Sequence, residues 1–294
     1  MRLPPEIQSS KILITGASGW IGQELLCMLQ DSYGKLSNLD LTCAASSSKT
    51  ISIHGEEIKC ISLSNVKGSN VFDLIIHLAF LLPKTSFVGD HEKYVAINQG
   101  LLEVTKAIFE NNPKALKLVF SSGAASDIAT SNYSELMKSY STQKKEMEVA
   151  LDGLDTLIVR LWSATGHHLP TDSHYAVRDI IRMAKSGETI VIKNNVQRSY
   201  IQIQELIQSV LQFLYTGGRG LVNSGGYSVT LSELAKIIVE VLNSKNEIQV
   251  DFRLNSSNLD YVSPTCELPE SYHNNFSDLR LQMEKMLQSD ENFP

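Results

Sequence analysis

Cysteine is scarce. Cys27, Cys43, Cys60 and Cys266 are the four in 294 residues, and no two of them make a C-x-x-C pair. Three lie in apolar helix or strand contexts, so the chain is expected to hold buried free thiols in a reducing cytoplasm rather than disulfides or a metal knuckle. Apolar runs of membrane-spanning length are missing. Met1 to Ser10 carries Pro4-Pro5 and no apolar stretch, so no signal peptide is expected. Positive charge is in deficit, with 26 Lys and Arg against 32 Asp and Glu, a net charge of −6. The cations are dispersed, which argues against a nucleic-acid surface and leaves room for a local pocket for a diphosphate. Internal repeats and low-complexity tracts are absent too. What remains is 43% hydrophobic and 20% charged, the makeup of a globule with a sizeable core. The length suits one large α/β domain, or one domain with a lobe.

The organising stretch is Lys11-Ile-Leu-Ile-Thr-Gly-Ala-Ser-Gly-Trp-Ile-Gly-Gln-Glu-Leu-Leu26. Ile12 to Ile14 predict a buried strand, Thr15 to Gly22 a tight turn, and Gln23 to Leu29 a helix. Gly16, Gly19 and Gly22 stand three apart. A strand, a glycine turn and a helix start together form a seat for phosphate, because backbone N–H groups and the positive end of the helix face an anion. A side chain at the central glycine would block that approach.

Further along, Leu39 to Ala45 predicts the second strand, and Ile51 to Ile53 and Ile58 to Leu63 further short ones. Phe72 to Ala79 is apolar almost throughout, as suits a strand covered on both faces. Lys93 to Glu110 predicts a helix ended by Asn111-Asn112-Pro113. Leu116 to Phe120 predicts a strand, Ser121 to Asn132 a loop, Tyr133 to Leu151 a helix, and Thr156 to Leu161 a strand followed by an irregular loop to Asp172. Beyond it, helices are expected at Ala176 to Lys185, Leu231 to Leu242 and Asp278 to Leu287. Extended segments are expected at Ile190 to Ile192 and Ile248 to Phe252, and Ile201 to Tyr215 mixes a strand end with a helix. This alternation predicts an α/β fold, a doubly wound parallel (Rossmann) sheet with a small C-terminal substrate-binding lobe. Residues 1–166, with 196–226 returning, would form the nucleotide-binding domain. Residues 167–195 and 227–294 would form the lobe. Ligands in such sheets sit beyond the carboxyl ends of the strands, where Gly16, Ala79, Ser122 and Ser163 fall.

Tyr140-Ser-Thr-Gln-Lys144 puts a phenol and an ammonium one helical turn apart, on the same face. Lys144 can lower the Tyr140 pKa, so Tyr140 can take the proton of a hydroxyl or return one. His77 stands in strand register and is expected to be a packed core histidine. His167-His168 has no third ligand placed near it, so no metal site is expected.

These motifs resemble the extended, sugar-nucleotide-modifying branch of the short-chain dehydrogenase/reductase superfamily, the NAD-dependent epimerase/dehydratase group. Thr15-Gly-Ala-Ser-Gly-Trp-Ile-Gly22 looks like its Thr-Gly-x-x-Gly-x-Ile-Gly, and Tyr140 to Glu148 its Tyr-x-x-x-Lys-x-x-x-Glu. Val119 to Asp127 resembles the strand end bearing its catalytic serine, with Ala125, Ser126 and Asp127 as departures. His77-Leu-Ala-Phe80 resembles His-Leu-Ala-Ala. Arg160 to Gly166 resembles Arg-Pro-x-Asn-x-Tyr-Gly, and Arg198 to Glu205 resembles Arg-Asp-Tyr-Ile-His-Val-x-Asp. The resemblance implies Ser122, Tyr140 and Lys144 as the catalytic set. It implies a cofactor site of Gly16, Ser18, Gly19, Trp20, Ile21, Ala45, Ser46, Ser47, Leu78, Ala79, Phe80, Asn98, Tyr140 and Lys144, and substrate contacts at Ser163 and Arg198.

The implied activity is NAD(P)-dependent oxidation–reduction or epimerisation of a nucleotide-linked sugar. A non-catalytic dinucleotide-binding or regulatory protein on the same fold is the alternative. Binders of NAD usually carry an acid at the end of the second strand. Here Ala45 is followed by Ser46-Ser-Ser-Lys49 and Asp40 is too early, so the cofactor is expected to be NAD(P) with NADP favoured. Nucleic acid and membrane are not expected partners, and a homodimer stays open.

Overall fold

The computed structural model describes residues 3–66, 70–83, 90–126, 134–170, 175–251, 260–274 and 276–290. After a 3-10 helix at Pro5–Ser9 come strand β1 (Lys11–Thr15), helix α1 (Trp20–Tyr33), β2 (Asp40–Ala45), β3 (Lys49–Ile53) and β4 (Glu56–Ser62). Next come β5 (Leu74–His77), α2 (His91–Asn111), β6 (Leu116–Ser122), α3 (Glu135–Asp152) and β7 (Thr156–Leu161). The later part holds β8 (Ser163–Thr165), α4 (Ala176–Ser186), β9 (Ile190–Ile192), β10 (Gln197–Gln202), α5 (Ile203–Tyr215) and β11 (Gly220–Asn223). It ends with β12 (Tyr227–Thr230), α6 (Leu231–Val241), β13 (Ile248–Val250), α7 (Glu270–His273) and α8 (Leu279–Asp290).

The chain divides into two units, Met1–Arg160 with Ile207–Val222, and Leu161–Leu206 with Asn223–Pro294. The first carries an eight-stranded sheet in the order β11-β7-β6-β5-β1-β2-β4-β3. β1 pairs in parallel with β2 and β5, β2 with β4, and β5 with β6. Its centre is buried on both faces: every residue of β5 is buried, as are Ile12 to Thr15 of β1. That is why those segments read as unbroken apolar runs. β3 runs antiparallel to β4 at the edge, and its exposed Lys49 and Thr50 face water there. Because β1 lies between β2 and β5, the order reverses there, and the loops after β1 and β5 border the switch point.

The observed ends differ from the expected ones for local reasons. α1 begins at Trp20, three residues earlier than Gln23, because Gly19 is already its N-cap, and it stops at Gly34 with φ +80°. β5 is shorter than Phe72 to Ala79, yet the ladder continues past it, with Asp73 N donating to Lys11 O at 2.8 Å and Leu78 N to Thr15 O at 3.0 Å. α3 starts where the Ser134 hydroxyl accepts the Met137 N–H. Residues 127–132 of the expected loop, Tyr133, residues 171–172 and Phe252 lie outside the described residues.

The second unit differs more. β8 stands where an irregular loop was expected after Leu161, and it pairs with β10, which pairs with β12. β10 therefore belongs to a three-stranded sheet of its own, and the segment returning to the first unit is Ile207–Val222, shorter than 196–226. A second small sheet pairs β13 with β9 in parallel. α6 carries a full capping box, with Thr230 and Glu233 bonding reciprocally. Among the described residues no helix is long and apolar enough to cross a membrane, and no group of three or more His, Cys, Asp or Glu could hold a metal ion.

Candidate active site

The three glycines of the first turn serve different ends. Gly16 has φ +71°, and a Cβ there would lie 2.7 Å from Ala79 N and from the Leu78 carbonyl carbon. It lets the turn after β1 rest on the loop after β5. At Gly22 a Cβ would meet the carbonyl oxygens of Gly16 and Ala17 at 2.6 Å, so this glycine lets α1 pack on the turn. Gly19 has an ordinary φ of −75°, and its Cβ would meet Gly16 O at 3.1 Å. Two of the three positions are thus filled by protein backbone on several sides, and the central one meets the single backbone atom Gly16 O. The turn is fixed by Gly19 N donating to Gly16 O at 2.9 Å and Ala17 N to Ala44 O at 3.1 Å.

No side chain caps the start of α1 and no acid stands in its first turn. An uncapped helix start above an unblocked glycine fits a pyrophosphate. Ser18, Gly19, Trp20 and Ile21, the residues of that corner, would hold it. Ala45 is buried at the end of β2, and Ser46 and Ser47 follow it, exposed. Asp40 pairs with Lys11 at the opposite end of the strand. Lys49 opens β3, with β4 between it and β2, so it stands about 9–10 Å to the side, two strand spacings.

β6 and α3 meet at the same rim. Lys144 is 5% exposed, and its Nζ donates to Phe120 O at 3.2 Å. Ser141, one turn earlier, donates to Ala124 O. These two bonds dock α3 on the strand end through main-chain carbonyls. Burial pulls the Lys144 ammonium down to about 7, and the Glu148 carboxylate keeps it from falling further. Glu148 is itself gripped by Arg160, with Nε to Oε1 at 2.9 Å and Nη2 to Oε2 at 2.7 Å. Tyr140 is half-buried, and its ring meets Phe80 edge-on with centroids 5.7 Å apart. Phe80 also packs against the hydrophobic core that includes Val119 and Met147, and the Lys144 Nζ lies 3.9 Å from its ring centroid. Ser122 is buried and its Oγ accepts the Ala124 N–H at 3.2 Å. The neighbouring Ser121 Oγ is buried without a partner among the described residues.

Two residues near this rim are structural in their contacts. Asn98 on α2 accepts from Leu81 N at 3.0 Å and donates to Leu81 O at 3.2 Å, pinning the chain just past Phe80. His77 is buried and shares a 2.7 Å hydrogen bond with Thr15 Oγ1. Burial, and then the charge of Lys144, pull its pKa down to about 3. Between about pH 6.5 and pH 3 the unfolded chain therefore takes up a proton that the native one refuses, and stability falls as pH falls. The drop in urea midpoint from pH 7 to pH 5 is expected to be smaller in His77→Gln than in the wild type. Equal drops would mean that His77 does not carry this effect.

The second unit brings the two expected substrate contacts to one sheet face. Ser163 is the register partner of Tyr200, and Arg198 stands two residues before Tyr200 on the same strand, hence on the same face. The Arg198 Nε is buried with no acceptor among the described residues, and its guanidinium carbon lies 5.9 Å from the Tyr261 ring centroid. Tyr261 in turn packs on Trp162, with centroids 4.8 Å apart. A guanidinium braced by an aromatic ring, with no acidic partner among the described residues, suits an anion. The sequence reading missed Tyr261, Trp162 and Ser141, as well as the Arg160–Glu148 pair, because no spacing rule links residues so far apart. His167, set aside as a metal ligand, has Nε2 3.1 Å from Lys285 O.

Solved structures share this architecture. A UDP-N-acetylglucosamine 4-epimerase from Methanobrevibacter ruminantium M1, in complex with UDP-N-acetylmuramic acid, superposes with a TM-score of 0.66 at 20% identity, covering 96% of this chain and 98% of that one. MoeE5 in complex with UDP-glucose and NAD gives 0.67 at 16% identity, covering 96% and 99%. RMD from Pseudomonas aeruginosa complexed with NADPH gives 0.64 at 17% identity, covering 96% and 98%. At these identities the likeness speaks for the fold. A search of curated proteins finds no match. The sequence profile of the NAD dependent epimerase/dehydratase family matches residues 12–224, a span that includes the glycine turn, Ser122, Tyr140, Lys144 and Arg198, and the chain belongs to that family.

Proposed function

We propose that this chain is an NAD(P)-dependent oxidoreductase or epimerase of a nucleotide-linked sugar. The observation that carries this reading is the Tyr140/Lys144 pair, one turn apart on α3, with Lys144 docked on the end of β6. A dinucleotide seated at the glycine turn supplies the means to accept and return a hydride. The protein's own groups handle protons and charge. Tyr140 takes a proton from a sugar hydroxyl at its phenolic oxygen, or gives one to a carbonyl oxygen. Lys144, when protonated, favours the phenolate and offers a hydrogen bond to a ribose hydroxyl. Ser122 offers its hydroxyl to the reacting oxygen. Arg198 forks onto the diphosphate, and Ser163 lies on the same sheet face. The test is a panel of uridine and thymidine diphosphate sugars followed by nicotinamide fluorescence. Turnover on at least one is expected. Dinucleotide binding without turnover on any would make the chain a binding or regulatory protein.

Arg198→Ala is expected to weaken nucleotide-sugar binding by roughly 1.5–3 kcal/mol, the scale of a charged hydrogen bond, with dinucleotide affinity nearly unmoved. Calorimetric titration with both ligands checks this, and an equal loss for both would mean that Arg198 supports the fold instead.

The cofactor is read as NADP. No carboxylate follows Ala45 to repel a 2′-phosphate, and Ser46 and Ser47 are small and exposed. A dissociable NADP favours net keto-reduction over epimerisation in place. Dissociation constants for NADPH and NADH, taken side by side at two salt concentrations, are expected to favour NADPH, with a gap that narrows in salt. NADH binding equally well or better would turn the reading to NAD and to an epimerase.

A further inference from the structure

Phe80 is the contact that the motifs do not account for. It stands where the resembled pattern His-Leu-Ala-Ala has a methyl group, and it puts a ring there. The ring lies over the Lys144 ammonium, 3.9 Å from Nζ to centroid, and meets the Tyr140 ring edge-on at an interplanar angle of 81°. It therefore fills the space between the two side chains that carry the proposed chemistry. Lys144 has three N–H donors; one is spent on Phe120 O, and the ring covers another direction. An oxygen that takes a hydrogen bond from Lys144 on the Tyr140 side would occupy the volume of that ring.

The backbone under Phe80 is held on both sides. Leu78 and Ala79 rest against Gly16, which has no Cβ to push them away. Leu81 is clamped by both amide atoms of Asn98. Phe80 itself is half-buried, one part of its side chain packed on the core and the rest open to solvent. A pinned backbone and a ring set between Lys144, Tyr140 and the edge of the hydrophobic core make a shutter with one moving part.

We propose that Phe80 is a positioning residue for the Tyr140/Lys144 pair, holding the Lys144 ammonium against the Phe120 carbonyl and turning aside when a dinucleotide ribose takes its place. The inference rests on the cofactor reading given above, and a dinucleotide is the ligand that it couples to the ring.

The test uses the full chain and follows the Lys144 methylene protons by NMR. A ring at this distance shifts them upfield. They are expected upfield in the wild type, at ordinary positions in Phe80→Leu, and upfield again in Phe80→Tyr, which keeps an aromatic face. Saturating NADPH or NADH is expected to move the wild-type signals to ordinary positions, as the ring leaves. Phe80→Leu has no aromatic contact to give up, so its dissociation constant is expected to tighten by roughly 2- to 30-fold, the range spanned by cation–π contacts. Signals that stay upfield while fluorescence reports bound dinucleotide would overturn the shutter and leave the cofactor reading standing. An unchanged or weaker dissociation constant in a normally folded Phe80→Leu would do the same. If the wild type binds neither dinucleotide, the cofactor reading itself fails.

Discussion

Tyr140→Phe is expected to lose about 10²–10⁴ in turnover while keeping its affinity for dinucleotide, because the ring stays and the proton carrier goes. The edge contact with Phe80 is made by the ring, which the variant keeps, and Ser141 and Lys144 each tie α3 to a main-chain carbonyl. Stopped-flow nicotinamide fluorescence separates the two quantities by reading binding and turnover in the same cuvette. Turnover equal to wild type would remove Tyr140 from the chemistry and leave Ser122 to carry the proton without it.

Gly16→Val is expected to fail in a different way, by losing the fold around the site. A β-branched residue would be forced to φ +71°, at about 1–3 kcal/mol. Its Cβ would also sit 2.7 Å from main-chain atoms of Leu78 and Ala79, which have no flexible end to swing away. Overpacking of that kind costs about 1–3 kcal/mol more. The sum is a large part of the roughly 5–15 kcal/mol that holds a typical domain together. A lowered urea midpoint together with lost dinucleotide binding is the expected result. Gly19→Ala is the control. Its φ of −75° suits any residue and its Cβ would meet only Gly16 O, at 3.1 Å, so it is expected to fold with a small shift of that carbonyl and to bind dinucleotide poorly. If Gly19→Ala binds as tightly as wild type, that corner is not where the phosphates go.

What was legible in the sequence follows from where its physics is local. The central strands are buried on both faces, so they appear as apolar runs, and the glycine turn is a contiguous motif. Tyr140 and Lys144 share a face because a helix repeats every 3.6 residues. Each of these can be read from neighbours in the chain. β8 and β12 could not be read, since three or four residues show no period, and only their pairing with β10 makes them strands. The same holds for Tyr261 against Arg198 and for Arg160 against Glu148, where the partners come from separate elements. Phe80 lies between the two cases. Its position was visible as a departure from a motif, but that its ring covers Lys144 depends on how α3 docks on β6.

That docking has a consequence for how this protein can vary by descent. The acceptor that holds Lys144 is the carbonyl of residue 120, and Ser141 is likewise tied to the carbonyl of residue 124. Every amino acid carries that atom, so no substitution at either position deletes the anchor. Mutational drift along the strand end can change shape and polarity while the lysine keeps its place. The codon for Phe80 has no such protection, since its contribution is all side chain. Inherited change in how this pair is tuned therefore falls on side chains, Phe80 and the Glu148–Arg160 pair among them.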